Sequence, residues 1–264
     1  MEGILKSKAA AARALALDPD LAEAHSAVGT LSFMFEWDWE RAEASLKRAI
    51  ALDPAFTWAY HMYAVLLTSE GRFDEAIAQM RRVQRLDPAS TSPTIIDLGF
   101  VHALKGELKQ AAEAWQEALE LAPDDYRIHR NLGIYACRTG DFAKGLEWLE
   151  RATTVAHDEE LLLADIGHCQ ALAGQRDLAE AALAKLEQAA ERMYVDPVHF
   201  ALVYVGLGDT ERALELLERA YENQAAHLTD VPVDPRYESL RSNPRYEAIV
   251  NGIGLGHLLP PPRG

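Results

Sequence analysis

The feature that most constrains this chain is a spacing. Leu-Asp-Pro occurs at Leu17-Asp18-Pro19, Leu52-Asp53-Pro54 and Leu86-Asp87-Pro88, and Leu121-Ala122-Pro123 follows in phase, so the prolines recur every 34 or 35 residues. Glycine keeps the same period at Gly71, Gly106, Gly140, Gly174 and Gly208. So does alanine, at Ala42, Ala76, Ala111, Ala179 and Ala213, with Gly145 in the vacant place. Three residue types on one period mark a stack of one supersecondary unit. Within a unit the apolar spacing is helical. Leu132, Gly133 and Ala136 share one helix face, and Ala76, Met80 and Val83 share another. Proline cannot continue a helix, and glycine readily takes the left-handed conformation that ends one. Each unit therefore reads as helix, glycine turn, helix, proline-marked turn.

This resembles the tetratricopeptide repeat, whose pattern runs W-x2-L-G-x2-Y, A-x3-F and P. Its Leu-Gly pair is matched by Val28-Gly29, Tyr63-Ala64, Leu98-Gly99, Leu132-Gly133 and Ile166-Gly167. Its A-x3-F element is matched by Ala42/Leu46, Ala76/Met80, Ala111/Trp115, Gly145/Leu149, Ala179/Leu183 and Ala213/Leu217. The expected fold is all-α, a right-handed α-solenoid of 14 to 16 helices in antiparallel pairs with no sheet. One solenoid should span residues 1–259, with a half repeat at 4–20 and six repeats over about 21–222 beginning near Ala22, Thr57, Thr91, Tyr126, Glu160 and Tyr194. The recurrent alanines should be buried where helices touch closely.

The ends depart from the period. Residues 4–18 match only the second helix of a unit, as expected of a piece of a longer protein or of a half repeat serving as a cap. Its uncovered apolar surface would support weak self-association. After Tyr221 the sequence gives Asp234-Pro235-Arg236-Tyr237 and then Asn243-Pro244-Arg245-Tyr246. Each reads as an Asx cap with proline at the first helical position. Capping helices over 234–253 should cover the open end of the last repeat, followed by a disordered tail at 260–264.

Two segments narrow the resemblance: the aromatic, longer turn Phe33-Met34-Phe35-Glu36-Trp37-Asp38-Trp39, and the ending from Asp234 to Tyr246. With Asp209, Ala213, Leu214 and Ala220-Tyr221 they are similar to C-terminal repeat regions of bacterial multidomain signalling proteins. In that family such regions follow a winged-helix, Ser/Thr kinase or nucleotide cyclase domain. None of those catalytic motifs occurs here: no Gly-x-Gly-x-x-Gly loop, no His-Arg-Asp and no P-loop.

The resemblance implies that the first helices line a concave groove and that a ligand binds there. The groove-facing positions carried over include Trp58, His61, Val65, Phe100, Arg127, Arg130, Ile134, Arg138, His168 and Leu202. Arg127, Arg130 and Arg138 form a local positive spot suited to a carboxylate or an acidic peptide. The alternative is that they pair with Asp97 and Asp165 on neighbouring repeats. Trp58, His61 and Phe100 could form an aromatic anchor or simply pack at repeat junctions. Trp37 and Trp39 are expected to plug the enlarged turn. Asp165-x-x-His168 beside Cys169 has no second ligand pair to make a metal site, and no cofactor is implied.

Composition sets the outer limits. A net charge of −15 repels phosphate backbones, so direct nucleic-acid binding is not expected. No apolar run is long enough to span a membrane. Two cysteines, Cys137 and Cys169, make no disulfide framework and fit a reducing cytoplasm. No nucleophile, base and orienting group emerge from spacing. The expected function is a non-catalytic scaffold that binds a peptide or partner domain in its groove. The alternative is a regulatory or self-association arm of a longer transcription regulator, kinase or cyclase.

Overall fold

Helix and turn alternate through the described residues. The computed structural model describes residues 2–88, 91–156 and 159–261, and no strand occurs among them. Helix α1 (Glu2–Leu17) packs against the first of the pairs. Six pairs follow: α2 (Ala22–Leu31) with α3 (Trp39–Leu52), α4 (Thr57–Ser69) with α5 (Phe73–Leu86), α6 (Thr91–Lys105) with α7 (Leu108–Leu121), α8 (Tyr126–Arg138) with α9 (Phe142–Thr153), α10 (Glu159–Leu172) with α11 (Arg176–Ala190), and α12 (Pro197–Leu207) with α13 (Thr210–Glu222). A last helix, α14 (Pro244–Gly252), lies in the C-terminal segment. Helices α2, α4, α6 and α8 begin at Ala22, Thr57, Thr91 and Tyr126, where the repeat phase puts them.

The turns explain the glycine series. Gly71, Gly106, Gly140, Gly174 and Gly208 all have φ between 73° and 88°, the left-handed region that a side chain resists. Across each, the residue after the glycine donates its backbone N–H to the carbonyl five residues back, as Arg72 does to Leu67 at 2.8 Å and Asp141 to Ala136 at 2.9 Å. This closes the helix end in a Schellman turn. Asp38, Asp141 and Asp209 then accept the backbone N–H three residues on and cap α3, α9 and α13. In the first pair a π-helical turn, Ser32–Glu36, intervenes, and Trp37 itself takes the left-handed position at φ 55°.

The alanine series is the packing seam. Ala42, Ala76, Ala111, Ala179 and Ala213 have no exposed surface. Gly145 replaces alanine because a Cβ there would run into Cys137 Sγ. That cysteine is bonded to Cys169 across a Cα–Cα distance of 5.7 Å, tying α8 to α10. This corrects the expectation of two unlinked thiols. The period hid the pairing because the two cysteines, 32 residues apart, are out of phase with it. The sequence argument from free thiols to a reducing compartment lapses with that correction.

The C-terminal segment departs from expectation in form and in reach. Residues Pro235–Leu240 form a 3-10 turn, not an α-helix. Tyr237, Leu240, Tyr246, Ile249, Val250, Ile253 and Leu255 pack into the core of the last repeat. The segment also runs back along the face formed by the first helices. Asp230 accepts from Ser69 Oγ of α4 at 3.5 Å, and His257 Nε2 lies 3.1 Å from the Glu70 carbonyl. Trp39 Nε1 donates to the Ile253 carbonyl at 2.6 Å, and Trp37 stacks on Tyr221 with centroids 5.1 Å apart. The two tryptophans therefore do more than fill their own turn: they bind the first repeat to the last. Of the expected tail, 262–264 lie outside the described residues.

Candidate functional site

The inner face has two halves. Residues near the C-terminal ends of the first helices, such as Ser69 and Arg138, meet the chain's own C-terminal segment. Among the described residues Trp58 and Arg127, near the N-terminal ends, make no hydrogen bond or ion pair to that segment.

The filled half is held by charge. Asp165 of α10 has no exposed side-chain surface. Its Oδ2 accepts from Arg130 Nε of α8 at 2.6 Å, and its Oδ1 from Arg236 Nη1 of the C-terminal segment, also at 2.6 Å. Arg236 in turn grips Asp234, with Nε 2.8 Å and Nη2 2.5 Å from Oδ2. Burial alone would raise the Asp165 carboxyl, but the two guanidiniums pull it below the usual carboxylate range. Asp234 also falls below the usual range: burial raises it, and the charge and hydrogen bonds of Arg236 bring it down. The two carboxylates and two guanidiniums neutralise one another, which lets the network sit out of water. Phe100 and Arg138 face this network across a cavity of about 20 Å³ shared with Asp234 and Arg236. Arg138 donates to the Ala103 carbonyl at 3.3 Å, and burial lowers its pKa. His168 is buried with Nδ1 2.9 Å from the Leu202 carbonyl, and burial pushes it down to about 4, so it is neutral at pH 7.

The open half is aromatic and mixed in charge. Trp58 is 54% exposed and stacks on His61 at 5.2 Å with 19° between planes. His61 Nδ1 lies 3.6 Å from Asp97 Oδ2 on α6. Burial pushes the Asp97 carboxyl up, while His61 and Arg127 pull it back down. Arg127 folds onto Asp125, the residue that caps its own helix, with Nη2 2.7 Å from Oδ2 and Nε 3.1 Å from Oδ1.

The seven candidate residues thus divide. Trp58, His61 and Arg127 lie in the open half; Phe100, Arg138 and His168 lie against the C-terminal segment; Arg130 is bound to Asp165. The aromatic trio splits, since Phe100 faces the filled half. The three arginines form no free positive spot. Arg130 takes the Asp165 partner that sequence offers as an alternative, and Arg127 takes Asp125, which it does not. Asp97, Asp165 and Arg236 carry the electrostatics of the inner face. The only sequence signal for Arg236 is the tandem Asx-Pro-Arg-Tyr motif. Among the described residues no group of three or more His, Cys, Asp or Glu is placed to hold a metal ion. No described helix is long and apolar enough to cross a membrane.

Family models described as tetratricopeptide repeat match residues 36–92, 104–158 and 198–227. These are tetratricopeptide repeats. Among curated proteins the repeats are similar to BBSome complex member BBS4 of Xenopus tropicalis, 28% identical over 141 residues, covering 53% of this chain and 27% of that protein. They are also similar to anaphase-promoting complex subunit 6 of Arabidopsis thaliana, 24% identical over 119 residues, 45% of this chain and 21% of that one. The chain spans about a quarter of the length of these relatives. Among solved structures, the anaphase-promoting complex hetero-tetramer Cut9-Hcn1 superposes with a TM-score of 0.62 at 19% identity, over 94% of this chain and 45% of that one. The type IV pilus biogenesis factor PilW gives 0.55 at 18% identity, over 83% and 97%. At these identities the structural likeness concerns the fold.

Proposed function

We propose that this tetratricopeptide-repeat chain is a non-catalytic scaffold that takes a segment of a partner protein on the open half of its inner face. The observation that carries the reading is Trp58, a large aromatic 54% exposed near the start of α4 and backed by a stacked His61. Tryptophan, with tyrosine and arginine, is enriched among the side chains that anchor protein contacts. The relatives' names, members of a BBSome complex and of the anaphase-promoting complex, belong to multi-subunit assemblies and support the class. The filled half supports it by exclusion, because Arg236 there is bound to the buried Asp165 and displacing it would leave that carboxylate only partly paired.

Selection of a random twelve-residue peptide library on the immobilised chain tests this. Selected peptides should bind the wild type and lose at least tenfold in affinity against Trp58→Ala, whose thermal midpoint should stay close to wild type because the side chain is exposed. Peptides that bind Trp58→Ala equally well would remove the reading.

A second reading, a regulatory or self-association arm of a longer signalling protein, is favoured by α1. Leu5 and Leu17 on that helix are 59% and 81% exposed, so it offers uncovered apolar surface. Sedimentation of the chain against one lacking residues 1–20 checks this. Concentration-dependent association in the longer chain alone supports it, and identical monomers remove it.

A further inference from the structure

Every arginine of the inner face that sequence singles out is already committed, and so are the carboxylates Asp125, Asp165 and Asp234 that hold them. Arg130 is held by Asp165, and Arg127 is held by two atoms of Asp125. Arg138 rests on a backbone carbonyl, and Arg236 is shared by Asp165 and Asp234. An acidic ligand would have to break one of these arrangements. Asp97 is the converse case. Its side chain keeps 27% of its surface exposed, and its partner is His61 at 3.6 Å, a distance too long for a tight ion pair. Among the described residues no lysine or arginine lies within ion-pair distance of it. Beside it lies the Trp58–His61 stack. Among the described residues the cation–π contacts fall on Tyr60, Tyr63 and Trp148, which leaves the exposed Trp58 without one.

We infer that the open half of the inner face binds a basic peptide segment, a lysine or arginine of the partner reaching Asp97 while its charge or its methylene stem lies over Trp58. The inference rests on the scaffold reading above and names the chemistry of its partner. A half-buried carboxylate with Arg127 acting on it only from beyond ion-pair distance is a worse arrangement than the same carboxylate in direct contact with a cation, because burial removes water that would otherwise solvate it. An incoming ammonium or guanidinium restores the balance and gains the attraction of the indole face. The net charge of −15 draws such a segment in at long range, and the local pair gives it a place to stop. The occupant is therefore a cation-bearing segment of extended or helical chain, not a phosphate backbone or an acidic tail.

Three capped ten-residue peptides, alternating glycine with lysine, glutamine or glutamate, separate the alternatives by calorimetry on the full chain. The lysine peptide should bind. Asp97→Asn should weaken it at least fivefold, and Trp58→Ala should do the same. Glu120→Gln removes one negative charge from an exposed position on α7 and should leave the affinity within twofold. Equal losses in Asp97→Asn and Glu120→Gln would mean diffuse attraction and would overturn the site. A glutamine or glutamate peptide that binds at Trp58 as tightly as the lysine one would overturn the cationic preference while leaving the scaffold reading intact. No binding by any of the three would overturn the inference, with the scaffold reading then judged on the library selection alone. Thermal melts of both variants guard against misfolding, and Asp97→Asn is nearly isosteric.

Discussion

Ala111 has no exposed surface, and the equivalent residues Ala76 and Ala213 elsewhere on the seam are equally closed in. A leucine at 111 would need room for three further carbons where the facing helix leaves none, at a cost of about 1–3 kcal/mol. For a chain of this size Ala111→Leu should lower the thermal midpoint by several degrees, on the order of 2–4 °C per kcal/mol, as read by circular dichroism. An unchanged midpoint would show that the seam can yield. His168 gives a pH-dependent counterpart. Burial holds it down to about 4 in the fold, Arg236 adds to that, and the Leu202 carbonyl offsets part of it. An unfolded histidine titrates near about 6.5. Between those values the unfolded chain takes up the proton and the folded one does not. The stability is therefore complete above about 6.5 and drains away as pH falls toward about 4. From pH 7 to pH 5 this one group accounts for about 2 kcal/mol. Urea titrations should show His168→Gln losing less stability over that interval than the wild type. Parallel losses would locate the pH dependence elsewhere.

At the scale of elements, what was legible in the sequence is what repeats. Helix starts at Ala22, Thr57 and Tyr126, the left-handed glycines and the alanine seam all follow from local or neighbouring contacts, and these recur once per period. The C-terminal segment makes contacts that occur once. Arg236 meets Asp165, 71 residues away, and Ile253 meets Trp39, 214 residues away. Its caps were legible, since Asp234 and Asn243 do accept the backbone N–H of Arg236 and Arg245. The destinations of the arginine side chains were not, because a cap motif fixes the backbone and says nothing of the guanidinium. The candidate site followed the same line. Sequence placed Trp58 and His61 together one helical turn apart, but it could not tell that Phe100 faces the C-terminal segment. The disulfide is another single event, and it staples α8 to α10 across 32 residues of chain. Closing a loop of that length in the unfolded state is worth about 3–4 kcal/mol in the chain-entropy account. Reductant should therefore lower the denaturant midpoint of the wild type and leave Cys137→Ser unmoved. A wild-type midpoint indifferent to reductant would mean the two sulfurs are not joined in solution.

Across the whole molecule, the clasp changes how a solenoid is expected to fail. In an open stack each repeat touches only its neighbours, so the terminal units fray independently of the rest. Here Trp37 and Trp39 of the first repeat pack against the hydrophobic core of the last one, through Tyr221 and the Ile253 carbonyl. The Glu70 carbonyl meets His257, so the second repeat joins the same closure. Opening the first repeat must then uncover part of the last, and the two ends should behave as one cooperative unit. Native-state hydrogen exchange can resolve this. In the wild type, slow amides of α3 and α12 should report one common opening free energy. In Trp39→Phe combined with Tyr221→Ala, the bond to Ile253 is lost, at about 1 kcal/mol, together with the aromatic stack. The α3 amides should then exchange faster, while those of α8 and α10, joined by the disulfide, keep their protection. If α3 already opens on its own in the wild type, the contacts between the ends are too weak to couple them, and the chain unfolds as an ordinary open stack.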